Sequence, residues 1–397
     1  MKFLKAIYLR LKALAAVFAN EWRVILADKG VLTFFIALPL AYPVIYTLIY
    51  NPEVTENLPV AIIDHSRTAE SRELAREINA SPDIEVFDYA TSVDEAKRLV
   101  AEQKVFGILE IPADYAKKIG RGERTTVTFY ANMNLLLRYR TYSFGLTDVQ
   151  MNTISQITAE KTAMLGELAD MAGAGGGLPV SNENYTVGDP VQGFASFVMP
   201  GILVIILQQA LILGIVMITG TSRERRRRNG GLDPQMINWA PAWTTVIGKT
   251  LAYTIFFIPA TIFCLHYVPE LFNLPHVGSP KEYLPFILPM FLSASFFGMT
   301  LSWIVKDRES SFMVVVFTSV IFLFLSGLTW PTYAMPHFWQ VVGGLIPSTW
   351  GVEGFIRINS NNATLAESAY DYYWLWGLTA AYFLTAWATM RYITKRP

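Results

Sequence analysis

Six long stretches with no charged residue constrain this chain more than any other feature of its sequence. A helix needs about 20 apolar residues, rising 1.5 Å each, to cross the hydrocarbon core of a bilayer. Only 16% of the residues are charged, whereas soluble domains carry about 25%. The sequence therefore predicts an α-helical integral membrane protein with six transmembrane helices. Their expected positions are 31–50, 190–222, 250–269, 283–305, a fifth beginning at Ser310, and 372–390.

Lysine and arginine are distributed unevenly among the segments that connect these spans. The loops 267–282 and 331–371 contain Lys281 and Arg357 as their only basic residues. Short segments rich in Lys and Arg stay on the cytoplasmic side, so both termini are predicted to be cytoplasmic. The basic segments are residues 1–30, the loop 222–243, Lys306 with Arg308, and the tail with Arg391, Lys395 and Arg396.

Residues 1–30 have the pattern of an amphipathic helix. Leu4, Ile7, Leu11 and Leu14 recur at helical spacing, and Lys and Arg residues stand between them. These charges interrupt the apolar run that a cleavable signal peptide needs. We therefore expect a helix that lies on the cytoplasmic leaflet before the first span.

Residues 51–190 differ from the rest of the chain in charge and in pattern. They contain 13 Lys and Arg against 21 Asp and Glu, a net charge of −8, and the remainder carries +8. Strand-like runs alternate with helical periodicity, which predicts an inserted extracytoplasmic α/β domain between the first two spans and a five-helix transmembrane domain over 191–397. The expected strands are 58–64, 84–89, 105–112 and 125–132; the expected helices are 68–81, 92–103, 113–120 and a long one over 133–171, before a glycine hinge at 173–177.

Local signals add detail to this domain. Thr68 and Ser92 are predicted to be helix N-caps. The long helix has one face that we expect to pack against the domain's own sheet, with a dimer or adaptor contact as the alternative. The residues on this face are Leu135, Tyr139, Tyr142, Leu146 and Val149.

The sequence shows no arrangement of catalytic or metal-ligating residues. Its four histidines lack metalloprotease spacing, and one cysteine, Cys264, cannot form a zinc cluster. Gly248-Lys249-Thr250 is similar to the end of a phosphate-binding loop, but Thr244 stands where that motif needs glycine. Lys249 is instead expected to snorkel at the end of a span. We predict no metal, no bound cofactor, no nucleic-acid partner and no ATP hydrolysis by this chain alone.

Uncharged polar residues inside the spans are candidates for a substrate path. Gln208 and Gln209 form the most polar pair, and the hydroxyl residues are Ser293, Ser295, Thr318, Ser319 and Ser326. Hydrogen bonding between helices, worth about 0.6 kcal/mol on average, explains such residues at least as well. An uncharged path suits amphipathic or lipid-like cargo better than ions.

Residues 310–352 contain no charge over a length that exceeds one span. We expect the fifth helix to end near Trp330-Pro331, because the residue before a proline disfavours helix. Residues 336–346 are too short to cross and predict a re-entrant or interfacial helix. Trp330, Pro331 and Trp339 would then form an external lid.

Several short motifs occur in a fixed order along nearly the whole chain. They are NEWRVILADKG (20–30), LPVAIIDHS (58–66), ASPDIEV (80–86), VFGILEIPADYAKKIGRGE (105–123), VMPGI (198–202), SRERRRRNGGLDPQMINWAPAW (222–243), LSGLTWPTYAMP (325–336), IPSTWGVEGFIR (346–357) and NNATLAE (361–367). With the spans, this order resembles the permease subunit of type-2 ABC exporters that have a large domain between the first two helices. Arg226 is a departure, since the family usually has an acidic residue there.

The resemblance implies a multi-pass protein of the bacterial inner membrane that pairs with a second permease. It implies two cytoplasmic ATPase subunits, which bind the ATP and Mg, and in many members a periplasmic adaptor and an outer-membrane channel. The function implied is outward transport of an amphipathic small molecule, drug or lipid-like substrate. The alternative is a membrane-anchored receptor or assembly protein, for which six spans are excessive.

The loop 222–243 lies where the family has its coupling segment. We expect a short coupling helix at 233–239, with Asp233 as N-cap and Pro234 in the first position. Its apolar residues would dock in a groove of the ATPase; they are Leu232, Met236, Ile237 and Trp239. Arg223, Glu224 and Arg225 would brace the base of this helix. The alternative is a membrane-surface loop whose arginines set topology and contact anionic lipid.

Overall fold

The computed structural model describes residues 2–50, 56–132, 136–165 and 193–395. The chain divides into two compact units. The helical unit comprises Met1–Glu53 and Thr186–Pro397, and the α/β unit comprises Val54–Tyr185. Leu135 and the predicted glycine hinge at 173–177 lie outside the described residues.

The helical unit begins with helices α1 (Lys2–Ala27) and α2 (Lys29–Tyr50). Asp28 separates them, and its carboxylate accepts hydrogen bonds from the N–H groups of Gly30 (3.0 Å) and Val31 (3.2 Å). Asp28 therefore caps α2. α1 buries a stripe of residues spaced four apart, as an amphipathic helix does: Ala13, Val17, Glu21 and Ile25.

The α/β unit alternates strands and helices in the predicted order. Its elements are β1 (Leu58–Asp64), α3 (Ala69–Ala80), β2 (Ile84–Tyr89), α4 (Val93–Ala101), β3 (Gly107–Ile111), α5 (Tyr115–Arg121), β4 (Thr128–Ala131) and α6 (Leu136–Leu165). Within the described residues, the strands form one sheet in the order β2-β1-β3-β4. β2 and β3 run parallel to β1, and β4 is antiparallel to β3. Thr68 and Ser92 cap α3 and α4, which confirms both predicted N-caps.

Helices cover both faces of this sheet, because successive strand residues point to opposite sides. Val60 and Ile62 lie in a cluster with residues of α3, α5 and α6. Ala61 and Ile63 lie in a second cluster with residues of α4. α6 contributes Tyr142, Leu146 and Val149 to the first cluster, so this helix packs against the sheet of its own unit, as predicted.

The remaining helices belong to the helical unit. They are α7 (Phe194–Arg228), α8 (Ala242–Leu271), α9 (Pro280–Leu301), α10 (Arg308–Leu325), α11 (His337–Gly344), α12 (Pro347–Asn361) and α13 (Ala369–Lys395). Within the described ranges, five helices are long and apolar enough to cross a membrane: α2, α7, α8, α9 and α10. The sixth predicted span, 372–390, lies in α13, whose many Tyr and Trp residues are less hydropathic than aliphatic ones.

α7 lies at the centre of the helical unit and is buried along most of its length. It packs against α2, α9, α10 and α12. Gly214 allows the closest of these approaches, because a Cβ there would lie 1.8 Å from a ring carbon of Phe35 in α2. Lipid tails are as apolar as these side chains, so close packing holds such helices together.

The segment after α10 differs from expectation at one boundary. α10 ends at Leu325 instead of near Trp330-Pro331. The Ser326 hydroxyl donates to the Leu323 carbonyl at 2.7 Å, and Gly327 adopts a left-handed φ of +83° that stops the helix. The predicted short helix over 336–346 is present as α11.

Candidate functional site

Charged side chains from four parts of the helical unit meet near the C-terminal end of α7. We define this charged end as Asp28, residues 222–241 and residues 302–308. Arg308 donates to both carboxylate oxygens of Asp28 at 2.7 Å each. The backbone N–H of Arg308 donates to Oε1 of Glu224 at 2.7 Å. The junction of α1 and α2, the end of α7 and the start of α10 are therefore joined through one arginine.

The second ion pair of the charged end joins α7 to the loop that follows it. Arg225 donates to the two carboxylate oxygens of Asp233 at 2.9 and 3.1 Å, and Asp233 is fully buried. A bidentate pair of this kind fixes orientation as well as distance. Burial alone raises the pKa of the Asp233 carboxyl, but hydrogen bonds from Arg225 and the Gln235 N–H outweigh this effect and lower the pKa below its ordinary value.

The loop 229–241 does not contain the coupling helix expected at 233–239. The structure shows turns there. The Asp233 carboxylate accepts from the Gln235 N–H at 2.9 Å, as an N-cap would, but turns and not a helix follow it. The Asp233 carbonyl accepts from the Met236 N–H and from the Asn238 amide, both at 3.1 Å, which closes a compact turn.

The apolar residues of this loop point in two directions. Leu232 and Trp239 are 61% and 58% exposed. Met236 and Ile237 are half-buried, and Met236 Sδ accepts from the Ser222 hydroxyl at 3.0 Å. The expected docking set therefore splits: Leu232 and Trp239 are available to a partner, whereas Met236 packs back onto the end of α7.

The arginines at the end of α7 bind backbone carbonyls of other elements. Arg223 donates to Trp303 and Val305, and Arg227 to Lys306. Arg226 is buried and donates to the Ile393 carbonyl of α13 at 2.9 Å. Topology and lipid contact alone do not account for these residues. Together they link α7 to the ends of α9 and α13.

A buried ion pair holds α1 against α8. Lys249 Nζ lies 2.8 Å from Oε1 of Glu21, with side chains only 6% and 3% exposed. The Tyr253 hydroxyl donates to the same carboxylate. The expectation that Lys249 snorkels is therefore wrong, because a carboxylate from α1 neutralises it inside the protein. In the sequence, Glu21 interrupts an apolar stripe with helical spacing, and this pattern indicates that its carboxylate has a buried partner.

A cavity of about 370 Å³ opens at the charged end, beside the junction of α1 and α2. Lys29, Arg225 and Arg308 contribute cationic groups to its wall, and Asp28 contributes a carboxylate. α1 also reaches the loop, since the Asn20 amide donates to the Gln235 carbonyl at 2.7 Å. Such a wall is suited to an acidic or polar side chain of a partner.

The side chains proposed to line the substrate path differ in how many of their polar atoms form hydrogen bonds. Gln208 is fully buried and donates to the Ser348 hydroxyl of α12 at 3.0 Å. The hydroxyls of Ser293, Thr318 and Ser326 donate to carbonyls of their own helices. Gln208 thus fits the interhelical alternative through its amide nitrogen, while among the described residues its Oε1 atom and both amide atoms of Gln209 lack a partner.

Within the described ranges, no group of three or more His, Cys, Asp or Glu side chains could hold a metal ion.

Trp330 and Trp339, predicted for the lid, are exposed on the segment around α11, and Pro331 precedes a short 3₁₀ turn.

Residues 29–388 match the family model described as ABC-2 family transporter protein. The chain is 24% identical over 351 residues to the probable multidrug ABC transporter permease YbhR of Escherichia coli, covering 85% of this chain and 88% of that protein. It is 20% identical over 348 residues to the linearmycin resistance permease protein LnrN of Bacillus subtilis, covering 82% and 87%.

The family model covers most of the chain, so this protein belongs to the ABC-2 family of transporters. It is a multi-pass membrane permease subunit of an ABC transporter, and ATPase subunits are its partners.

Proposed function

We propose that this permease exports an uncharged or amphipathic, drug-like or lipid-like small molecule, driven by ATP hydrolysed in two separate subunits. Its membership of the family and the names of YbhR and LnrN support this class of cargo. The interior of α7 supports it further, because its described polar groups are the amides of Gln208 and Gln209 and a few hydroxyls.

The proposed topology has six spans, with α13 as the sixth, both termini in the cytoplasm of a bacterial cell and the α/β unit outside the inner membrane. The Lys and Arg distribution supports this orientation. α13 packs along α9 and α12 inside the helical unit. A second permease copy would complete the path beside Gln209, and a periplasmic adaptor and an outer-membrane channel would receive the cargo.

The observation that carries the proposal is the linkage of the charged end. The proposed ATPase contact is the exposed pair Leu232 and Trp239. Motion of this loop would reach α7 through the Asp233–Arg225 pair. From the end of α7, Glu224 and Arg308 would pass it to α10 and to Asp28 at the start of α2. Trp330, Pro331 and Trp339 would then close the external side of the path.

Transport by the reconstituted complex tests this function. Permease and ATPase subunits in liposomes should move N-phenyl-1-naphthylamine across the membrane only when ATP is supplied. Absence of ATP-dependent movement, with intact assembly, would favour the receptor or assembly hypothesis.

Paired variants test the coupling surface. Leu232→Asp with Trp239→Asp should abolish stimulation of the ATPase and transport, while insertion in the membrane persists. Val277→Asp is the matched control, because Val277 is exposed beyond the opposite end of α8 and should change neither activity. If the double variant behaves like this control, the loop is a membrane-surface element and the coupling proposal is wrong.

A further inference from the structure

The α/β unit contains a cavity of about 560 Å³ between one face of its sheet and α6. This volume lies in the range of small-molecule sites, about 300 to 1,000 Å³. Each neighbouring helix directs an apolar pair toward it. α3 contributes Leu74 and Ile78, and α5 contributes Tyr115 and Ile119.

α6 lies along this cavity and is hydrogen-bonded to other elements of the unit at two points, one on each side of the cavity. At one side, the Tyr142 hydroxyl donates to the Ile108 carbonyl at 2.9 Å. The Tyr142 ring lies so close to Gly107 that a Cβ there would be 2.6 Å from it. At the other side, the Thr153 hydroxyl donates to Glu77 of α3 at 2.6 Å. Leu146 and Val149, between these contacts, face the cavity.

The remaining wall is the segment that joins α5 to β4. Thr125 Oγ1 on this segment is buried, and no hydrogen-bond partner for it exists among the described residues. A buried hydroxyl without a partner is unfavourable and is usually satisfied by protein, water or ligand. Glu123 and Arg124 also line the cavity, so charges of both signs stand beside Thr125.

We infer that this cavity binds an uncharged amphipathic small molecule. Its apolar body contacts the Leu, Ile and Val side chains, and one polar group hydrogen-bonds to Thr125 Oγ1. The neighbouring carboxylate and guanidinium give the site no preference for a net charge. Cavities lined by Leu, Ile and similar apolar side chains readily bind apolar molecules. This site goes beyond the proposed function, because binding in the α/β unit requires neither ATP nor ATPase subunits.

Binding of 1-aminoanthracene to the full-length permease in lipid nanodiscs tests the inference. This probe has an apolar body and one hydrogen-bonding group, and its fluorescence rises in apolar sites. Thr147→Trp places an indole in the cavity from α6 and should weaken the saturable binding at least tenfold. Asn152→Trp is the matched control, because Asn152 is an exposed residue of the same helix that does not line the cavity. Equal binding by wild type and Thr147→Trp would overturn the inference.

The hydroxyl has its own test. Thr125→Val should weaken binding of 1-aminoanthracene about three- to tenfold, the effect of one neutral hydrogen bond. The same variant should bind anthracene, which has no amine, at least as well as the wild type does. If Thr125→Val weakened the binding of both probes by the same factor, this result would contradict a direct hydrogen bond to Thr125.

Cysteine protection gives a measurement that is independent of fluorescence. The sequence contains one cysteine, Cys264, which is buried. Gln150→Cys therefore places a unique accessible thiol at the cavity, and 1-aminoanthracene should slow its reaction with a maleimide. If this thiol is unreactive without probe and no saturable binding occurs, the chain itself fills the cavity and the inference fails.

Discussion

Exposed ion pairs on helices of the α/β unit differ from two ion pairs that join distant segments of the helical unit. In the α/β unit, Arg76–Glu73 and Lys118–Asp114 join residues three or four apart on exposed helix surfaces. In the helical unit, Glu21–Lys249 and Asp28–Arg308 join residues more than 200 positions apart. Local exposed pairs add little to stability, whereas the two long-range pairs, one buried and one partly exposed, join separate helices of the helical unit.

This comparison predicts its largest effect at Lys249. Lys249→Met leaves the Glu21 carboxylate buried without its partner, which should lower the free energy of unfolding by about 3 to 5 kcal/mol. Unfolding of the purified permease in mixed micelles measures the change. Glu21→Gln combined with Lys249→Met should recover most of the loss. A double variant as unstable as the single one would show that packing, and not charge, dominates this contact.

The Asp233–Arg225 pair should give the next largest effect. Asp233→Asn keeps the side-chain shape but removes the charge, and we expect a loss of about 2 kcal/mol, within the range for hydrogen bonds to charged groups. ATPase stimulation should fall with it, because the loop loses its fixed position on α7. Leu232→Ala, which leaves the pair intact, is the stability control. Unchanged stimulation in Asp233→Asn would separate this ion pair from coupling.

Acid should weaken the Asp28–Arg308 pair. Partial burial alone would raise the pKa of the Asp28 carboxyl, but the Arg308 guanidinium and the N–H groups of Val31 and Gly30 hold it below 3.8. The contribution of Asp28 is therefore nearly complete above about pH 5 and is lost progressively as the pH falls through the lowered value.

Comparison with Asp28→Asn measures this pH dependence, because Asn still caps α2. The variant should be less stable by about 1 kcal/mol from pH 5 to 8, since the pair is partly exposed. The difference from wild type should shrink toward pH 3. A difference that grows on acidification would contradict the assigned sign.

The smallest effect is expected in the α/β unit. Arg76→Ala removes an exposed partner of Glu73 and should change the free energy of unfolding by less than about 0.5 kcal/mol. Moderate salt should reduce even this difference. A loss comparable with that of Lys249→Met would remove the distinction between the two regions.

Local interactions explain which features the sequence alone determined. The caps at Thr68 and Ser92 bind N–H groups three residues ahead, and a span needs only an uncharged run of about 20 residues. The alternation of strands and helices in the α/β unit has the same local origin. These features depend on neighbours within a few residues, so they could be predicted without knowing how the chain returns on itself.

Tertiary structure decided the contacts that join distant segments. Lys249 pairs with Glu21, Gln208 with Ser348, and Asp233 with Arg225. The cavity in the α/β unit also required the placement of α6, which Tyr142 and Thr153 attach to other elements. A buried polar group takes the partner that the fold brings within hydrogen-bond distance. That choice depends on the three-dimensional path of the chain, which local periodicity and capping do not specify.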